Sequence, residues 1–416
     1  MTSLRVLSLG FTRELWEDPA EAGDDSRARL SAYSAHVASY HVIVHSLRRH
    51  ALVSPRRITP TVWAHATGGR GLLHSWVRML ALARRLVRAH GFDLVQSQDP
   101  VFTGTVGELV SRFAGLPHNV CVYGANPFDP QWVRESAWTR VAAPLGRRVL
   151  RAAHGVQVDG SRTARSLIAA GLGAGKVAVK PMVPHDLDRF FAAARDPSLR
   201  DELSGGGRLD RLVLFVGRLA PQKDVGLLLE AAAGLVRERP GLGLVLMGEG
   251  TERARLEEEA ARRGLAAHVR WLGGKPHAEV ARVMAACDLF CLPSRYEGHA
   301  RVLMEAAAAA LPIVSTDVSG SDDAVRAGVT GTIVPIGDAS ALRAAMGVLL
   351  ADPARAREMG RRGQDHMREV AAREGSPRRQ VEIWEELVRR YLGSSPAAGG
   401  GASPMPRAPD SLRRER

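Results

Sequence analysis

Two carboxylates, two cations and a helix start carry the chemistry legible in this chain. Glu297 stands in a loop directly before Gly298, and Glu305 follows eight residues on, in an alanine-rich stretch that ends before Pro312. With residues 299–309 read as helix, the backbone N–H groups of Gly298, His299 and Ala300 fall at its start. They have no intrahelical partner there, and the helix dipole favours an anion. A carboxylate beside an anion site is not itself a phosphate ligand. It suits hydroxyls on a neutral group joined to a phosphate, which is the layout of a nucleotide-sugar. Upstream, a strand read at 212–216 exits through Gly217, whose missing side chain admits close backbone approach. Arg218 and Lys223 follow on the same loop. Two fixed cations there can neutralise a diphosphate and stabilise it as it leaves.

The elements that must hold these residues alternate in type. Residues 4–10, 41–46, 93–97 and 118–123 read as short apolar strands, with helical patterns at 27–39, 73–90 and 104–114 and further strands near 155–158 and 177–182. Alternation of this kind means a parallel sheet flanked by helices. The segment 196–210 breaks it, and its Gly205-Gly206-Gly207 run reads as a linker. A second alternation runs from 211 to 375, with ligand expected outside the carboxyl ends of its strands. The domains are therefore expected at 1–195 and 211–375, joined by the 196–210 linker. A helix at 376–392 and a Gly/Pro/Ser-rich tail at 393–416, expected to be disordered, complete the chain.

Composition narrows the function classes. The chain has 416 residues, 45% hydrophobic and 24% charged, enough for two domains with full cores. No stretch reaches 18 uninterrupted apolar residues, so no membrane span is expected, and the start of the chain reads as a first strand rather than a secretory leader. Its three cysteines, Cys121, Cys287 and Cys291, lie in apolar settings and point to buried thiols in a reducing cytoplasm. No metal pattern is present. The net charge of +13 is uneven: residues 1–200 carry 26 Lys+Arg against 15 Asp+Glu. A basic first half suits an anionic partner, a membrane surface or lipid diphosphate rather than nucleic acid, for which no binding motif occurs. Lysine is confined to positions 176, 180, 223 and 275. A lysine kept in an arginine-rich background suggests a need for a compact point charge, and Lys223 is the one at the site.

The stretch EGHARVLME, from Glu297 to Glu305, resembles the retaining GT-B glycosyltransferases of the family 4 type, whose signature is two glutamates separated by seven residues. His299 and Arg301 depart from the usual residues at their positions. FVGRL…QKD, around Arg218 and Lys223, is similar to the family's GRL…KG element, where the matching cations bind the donor diphosphate. Gly248, in Gly248-Glu249-Gly250, and Gly273, after Trp271-Leu272, look like the family's turns beside the nucleotide. Ser294 stands at the next strand end. The loop 317–323 matches a DVGGxPE element imperfectly.

The resemblance implies two Rossmann-like, doubly wound α/β domains facing a central cleft. It implies a nucleotide diphosphate sugar as co-substrate, no other cofactor, no metal, and retention of anomeric configuration. Glu297 would bind the donor sugar hydroxyls and Glu305 the ribose hydroxyls. The acceptor side would be the first domain, through Asp99, Tyr123 and Asn126. Tyr123 takes the position where the family usually offers a histidine near the donor sugar. It could orient a sugar, but a phenol with an ordinary pKa of ~10 is a poor base near neutrality. The expected acceptor is a glycan or lipid-linked intermediate of cell-surface polysaccharide or glycoconjugate synthesis. The expected location is the cytoplasm, with a peripheral hold on the inner membrane face. A sugar-nucleotide epimerase of the same fold and a non-catalytic nucleotide- or glycan-binding relative are the alternatives. Asp186-Leu187-Asp188 has the form of a metal motif but sits in a segment that resembles a structural NGVDxxxF element.

Overall fold

The computed structural model describes residues 3–16, 25–124, 126–184, 186–297 and 300–394. They form two compact units: the first from residues within 1–157, 167–178 and 377–416, the second from 158–166 and 179–376.

The first unit is built on an eight-stranded sheet. Its strands are β1 (Arg5–Gly10), β2 (Ser39–Val44), β3 (Arg56–Arg57), β4 (Val62–Ala66), β5 (Leu94–Ser97), β6 (His118–Val122), β7 (Gly155–Val158) and β8 (Val177–Val179). They lie in the order β3-β4-β2-β1-β5-β6-β7-β8. The run from β4 to β6 is parallel, and β3 is antiparallel against β4. Alternation along β1 feeds two cores. Val6 joins Tyr40, Val42 and Trp384 on one face. Leu7 and Leu9 join Ile43, Met79 and Val106 on the other. Strand β4 was not among the expected elements, because His65 interrupts its apolar run. Helix Ala137–Ala152 was not either, since it carries Pro144 in its interior. Pro144 costs a backbone hydrogen bond that the buried Ala142, Ala143, Val149 and Leu150 offset by packing.

The last helix, Pro377–Ser394, belongs to this first unit. Trp384 is fully buried against Tyr33 (5.4 Å between ring centroids) and Tyr40 (5.8 Å). Its Nε1–H donates to Gln96 Oε1 at 2.5 Å. Gln157 and Gln380 exchange two amide hydrogen bonds of 2.9 and 2.8 Å. A buried polar network satisfied in this way fixes where the helix docks. Gly393 and Ser394 close this helix, and the rest of the expected tail, 395–416, lies outside the described residues.

The second unit holds a six-stranded sheet of β9 (Arg211–Val216), β10 (Leu242–Met247), β11 (Val269–Gly273), β12 (Leu289–Leu292), β13 (Ile313–Thr316) and β14 (Gly331–Val334). The order is β11-β10-β9-β12-β13-β14, and every pair is parallel. Strand order reverses between β9 and β12. In a doubly wound sheet that is where a ligand crevice opens, beyond the carboxyl ends of the two strands.

The expected linker at 196–210 is instead part of the second unit. Asp196 accepts hydrogen bonds from the N–H groups of Ser198 and Leu199 and caps helix Pro197–Ser204, with Pro197 in its first turn. Gly205 ends that helix at φ +67°. Leu203 and Leu209 are buried in the second core. The glycine run that resembles a flexible spacer is thus a helix stop, and the first unit's contiguous part ends before residue 195.

Candidate functional site

The loops after β9 and β12 flank the switch point and carry the central pair. Lys223 Nζ lies 2.6 Å from Glu297 Oε1. Ser294 Oγ, also 2.6 Å away, donates to the same oxygen. The side chains are 13% (Lys223) and 7% (Glu297) exposed, so the ion pair is largely desolvated. A second pair straps the same loops together. Arg295 Nε donates to Asp224 Oδ2 at 2.8 Å, and the Arg295 N–H donates to the Gln222 carbonyl at 2.8 Å. Asp224 sits at φ +45°, which lets the chain turn from the Lys223 loop straight into helix Val225–Glu238. The sequence reading missed this strap, although Arg295 stands two residues before Glu297.

Arg218 is exposed at the mouth of β9, and its side chain has no hydrogen bond or ion pair among the described residues. It is a cation on the same loop as Lys223, with its charge available. The strand ends behind it interlock through backbone: Gly217 N–H to Met247 O at 3.0 Å, Leu219 N–H to Glu249 O at 2.9 Å and Gly248 N–H to Gly273 O at 2.9 Å. Gly248 is required by geometry. At φ +144° a Cβ there would lie 1.9 Å from the Gly217 carbonyl oxygen.

Helix Arg301–Ala308 begins two residues later than expected, with Ala300 at its N-cap. Ala300 is buried. Gly298 and His299 lie outside the described residues. Glu305 is buried on this helix, and its Oε1 faces His277 Nε2 at 3.2 Å. Ser294 has a second task that the sequence did not show. Besides donating to Glu297, it offers its carbonyl to Thr316 Oγ1 at 2.6 Å, tying the β12 loop to β13.

The loop at 317–323 is pinned to the start of helix Ser161–Ala169. Asp323 accepts from the Ser161 hydroxyl at 2.8 Å, Asp322 pairs with Arg165 at 2.5 Å, and Asp317 pairs with Arg162 at 2.5 Å. Asp159, next to it, is buried, and neither carboxylate oxygen has a hydrogen-bond partner among the described residues. Burial raises its pKa to about 7, with Asp323 adding to the rise.

The three acceptor-side residues lie in the first unit, and each has a side-chain oxygen engaged internally. The Asp99 carboxylate accepts from the N–H groups of Val101, Phe102 and Thr103 at 2.8, 2.6 and 2.8 Å and from the Thr103 hydroxyl at 2.5 Å. It holds the first turn of helix Phe102–Ala114, so its expected acceptor role gives way to a structural one. Asn126 is buried, and its Oδ1 accepts from the Phe128 N–H at 3.0 Å. Tyr123 Oη accepts from Gln157 Nε2 at 2.9 Å. Burial, with Cys121 nearby, holds its phenol well above the usual range. That is the opposite of what a base needs near neutrality. Asp186, expected to be structural, reaches His277 Nδ1 at 2.8 Å. Cys121, Cys287 and Cys291 are buried free thiols.

The chain matches two family models: "Glycosyl transferase 4-like domain" over residues 12–182 and "Glycosyl transferases group 1" over residues 207–366. It is 34% identical over 231 residues to D-inositol 3-phosphate glycosyltransferase of Segniliparus rotundus, covering 54% of this chain and 49% of that protein. It is 32% identical to GDP-mannose-dependent alpha-(1-6)-phosphatidylinositol monomannoside mannosyltransferase of Mycolicibacterium smegmatis, covering 55% of this chain and 71% of the relative. Identity to 2-deoxystreptamine N-acetyl-D-glucosaminyltransferase of Streptomyces fradiae is 28%, over 83% of this chain and 82% of the relative. The match thus spans about half the length of the first of these relatives. Among solved structures, sucrose-phosphate synthase of Thermosynechococcus elongatus has the same fold, with TM-score 0.72, 21% identity, and coverage of 93% of this chain and 100% of that one. Anabaena HepE, solved in complex with UDP, has TM-score 0.69, 20% identity and the same coverage. Two parallel-sheet Rossmann-like units, both family models and relatives of this kind lead to one conclusion: the chain belongs to the group 1 glycosyltransferases of the GT-B fold.

Proposed function

We propose that this protein transfers a glycosyl group from a nucleoside diphosphate sugar to a hydroxyl acceptor, with retention at the anomeric carbon. One observation carries the reading: the desolvated Lys223–Glu297 pair at the switch point of the second sheet, with the Arg218 side chain, unpartnered among the described residues, on the same loop as Lys223. The transfers named for the relatives support it. Arg218, Lys223 and the N–H groups at the helix start would neutralise the diphosphate, so no metal is required for that task. Glu297 would accept hydrogen bonds from the donor sugar hydroxyls and Glu305 from the ribose hydroxyls. Gly217, Gly248 and Gly273 would let the backbone approach the nucleotide, and Ser294 would hold Glu297 in place. The anomeric C–O bond to the diphosphate breaks as the acceptor oxygen bonds to the same face. The leaving diphosphate oxygen takes the acceptor proton. Tyr123 would orient a hydroxyl and not remove its proton. The test is a product assay with candidate donors, reading nucleotide release and the anomeric coupling constant of the glycoside by NMR. Inverted product would overturn retention, and turnover without acceptor to an epimerised sugar nucleotide would overturn transfer.

The acceptor is proposed to be a glycan or lipid-linked intermediate, met by the first unit at an anionic membrane surface on the cytoplasmic side. No helix among the described residues is long and apolar enough to cross a membrane. Helices Leu72–His90 and Ala137–Ala152 contain no acidic residue and carry four arginines each. They leave Leu73 76%, Val141 74% and Trp138 61% exposed. Apolar side chains set among arginines suit the headgroup boundary of an anionic bilayer. Flotation with anionic vesicles in low salt, absent with zwitterionic ones, is the expected result. Flotation with neither overturns the membrane reading and leaves a soluble glycan as the acceptor.

A further inference from the structure

His277 opens helix His277–Ala286 and stands between two carboxylates. Its Nδ1 is 2.8 Å from Asp186 Oδ2, and its Nε2 is 3.2 Å from Glu305 Oε1. Carboxylate oxygens accept hydrogen bonds and do not donate them. Both ring nitrogens are therefore satisfied only when both carry hydrogen, and a neutral imidazole would turn a lone pair toward one of the carboxylates. The arrangement is that of an imidazolium. Phe190, fully buried, packs against the ring at 5.4 Å and limits its rotation.

The surroundings agree with a charged ring. Asp186 and Arg189 approach from the segment around helix Leu187–Phe191, with Arg189 Nη1 3.7 Å from Asp186 Oδ2. Glu305 comes from helix Arg301–Ala308, and Lys275 and Glu279 flank His277 on its own segment. The hydrogen bond to Glu305, then the charges of Glu305 and Asp186, raise the His277 pKa above its ordinary 6.5. Glu305 has only 10% of its side chain exposed, so its charge is held by this contact more than by water.

We infer that His277 is a positioning residue for nucleotide binding: anchored on Asp186 through Nδ1, it holds the Glu305 carboxylate through Nε2, so that Glu305 can accept the two ribose hydroxyls of a nucleoside diphosphate. The inference rests on Glu305 being the ribose ligand. An untethered Glu305 would lose the fixed rotamer that presents its oxygens to the ribose hydroxyls. The proton on His277 thereby couples nucleotide affinity to pH.

The test is isothermal titration of the full chain with UDP, GDP and ADP and with their 2′,3′-dideoxy counterparts, between pH 6 and pH 9. For the nucleotide that binds, affinity in the wild type should fall as pH rises through the His277 pKa, and the dideoxy form should show no such limb. His277→Ala should weaken the ribose form roughly 10-fold at pH 6, as expected for losing a hydrogen bond to a charged group, and the dideoxy form less than 2-fold. His277→Gln, which can still donate to Glu305, should recover part of the affinity without the pH limb. Equal losses for ribose and dideoxy forms in His277→Ala, or a pH limb that survives the substitution, would overturn the assignment and leave His277 as a structural tie. Glu305→Gln separates the two levels. If it fails to reduce the preference for ribose over dideoxyribose, the ribose reading of Glu305 falls, and the inference with it. If it abolishes that preference while His277→Ala does not, only the role of His277 falls. No binding of any nucleoside diphosphate by the wild type overturns both.

Discussion

Replacing Lys223 with alanine should have two separable consequences. In the free protein it strips the counter-charge from Glu297, whose side chain is 7% exposed and whose nearest charged partner is 2.6 Å away. Breaking a buried pair by removing one member costs about 3–5 kcal/mol, because the remaining charge stays desolvated. Ser294 keeps its 2.6 Å hydrogen bond to Glu297 and the loop can admit water, so the lower end, about 3 kcal/mol, is expected. With a urea slope of about 2 kcal/mol/M, the transition of the second unit should move down by about 1.5 M. Adding Glu297→Gln removes the orphaned charge and should restore most of that loss, because Ser294 can still donate to the amide oxygen. Diphosphate binding should behave differently. It loses one charge-assisted contact, a roughly 10- to 100-fold weaker Kd, in both the single and the double variant. Urea titration followed by tryptophan fluorescence and calorimetric titration with a nucleoside diphosphate supply the two readings. A Lys223→Ala midpoint within about 0.3 M of wild type, on the same slope of about 2 kcal/mol/M, would refute the buried-pair argument. Diphosphate affinity restored in the double variant would refute a direct role for Lys223.

Gly248→Ala should lower the thermal midpoint by about 5–10 °C, since the new Cβ meets the Gly217 carbonyl at 1.9 Å. An unchanged midpoint would show that the two strand ends are not locked as described. Buried His118 has its pKa lowered by desolvation to about 3, so the unfolded chain takes up a proton below 6.5 that the folded chain refuses. Its contribution is complete above pH 6.5 and is lost as pH falls toward 3, about 2 kcal/mol by pH 5. His118→Gln should flatten that slope in urea midpoints measured at pH 7 and 5, and an equally steep slope would count against it. Asp159 has the opposite sign, because its folded pKa, about 7, lies above the ordinary 3.8. The folded state holds the extra proton, so stability falls as pH rises from 3.8 through 7. Asp159→Asn should therefore gain about 4 kcal/mol at pH 8 and little at pH 4, and a variant less stable than wild type at pH 8 would refute the desolvation argument.

Much of the second unit could be read along the chain, because its strands are apolar runs buried on both faces and its ligand loops follow directly from them. Helices Val225–Glu238 and Ala339–Ala351 begin and end where the apolar spacing placed them. The glycines at the β9, β10 and β11 ends could likewise be picked out. The first unit was harder. The apolar run of strand β4 is interrupted by His65, helix Ala137–Ala152 contains Pro144, and the glycine run after Ser204 is a helix stop that looks like a spacer. Asp99 shows a local rule misapplied. An aspartate followed by Pro and, four residues on, Thr satisfies its carboxylate within its own turn, and nothing is left for a ligand.

The chain alone determined which residue types stand at which strand ends: Arg218 and Lys223 after one strand, Ser294 and Glu297 after another, Glu305 within the helix that follows. It did so because short-range periodicity sets secondary structure, and secondary structure sets where loops fall. Only the tertiary structure decided the partners. Lys223 meets Glu297 across 74 residues, and His277 joins Asp186 to Glu305 across 91 and 28. Those distances are set by strand order, since β9 and β12 are neighbours in the sheet though β10 and β11 lie between them in sequence. Charge pairing depends on separation in space and on the loss of water around the pair, and no pattern along the chain encodes either.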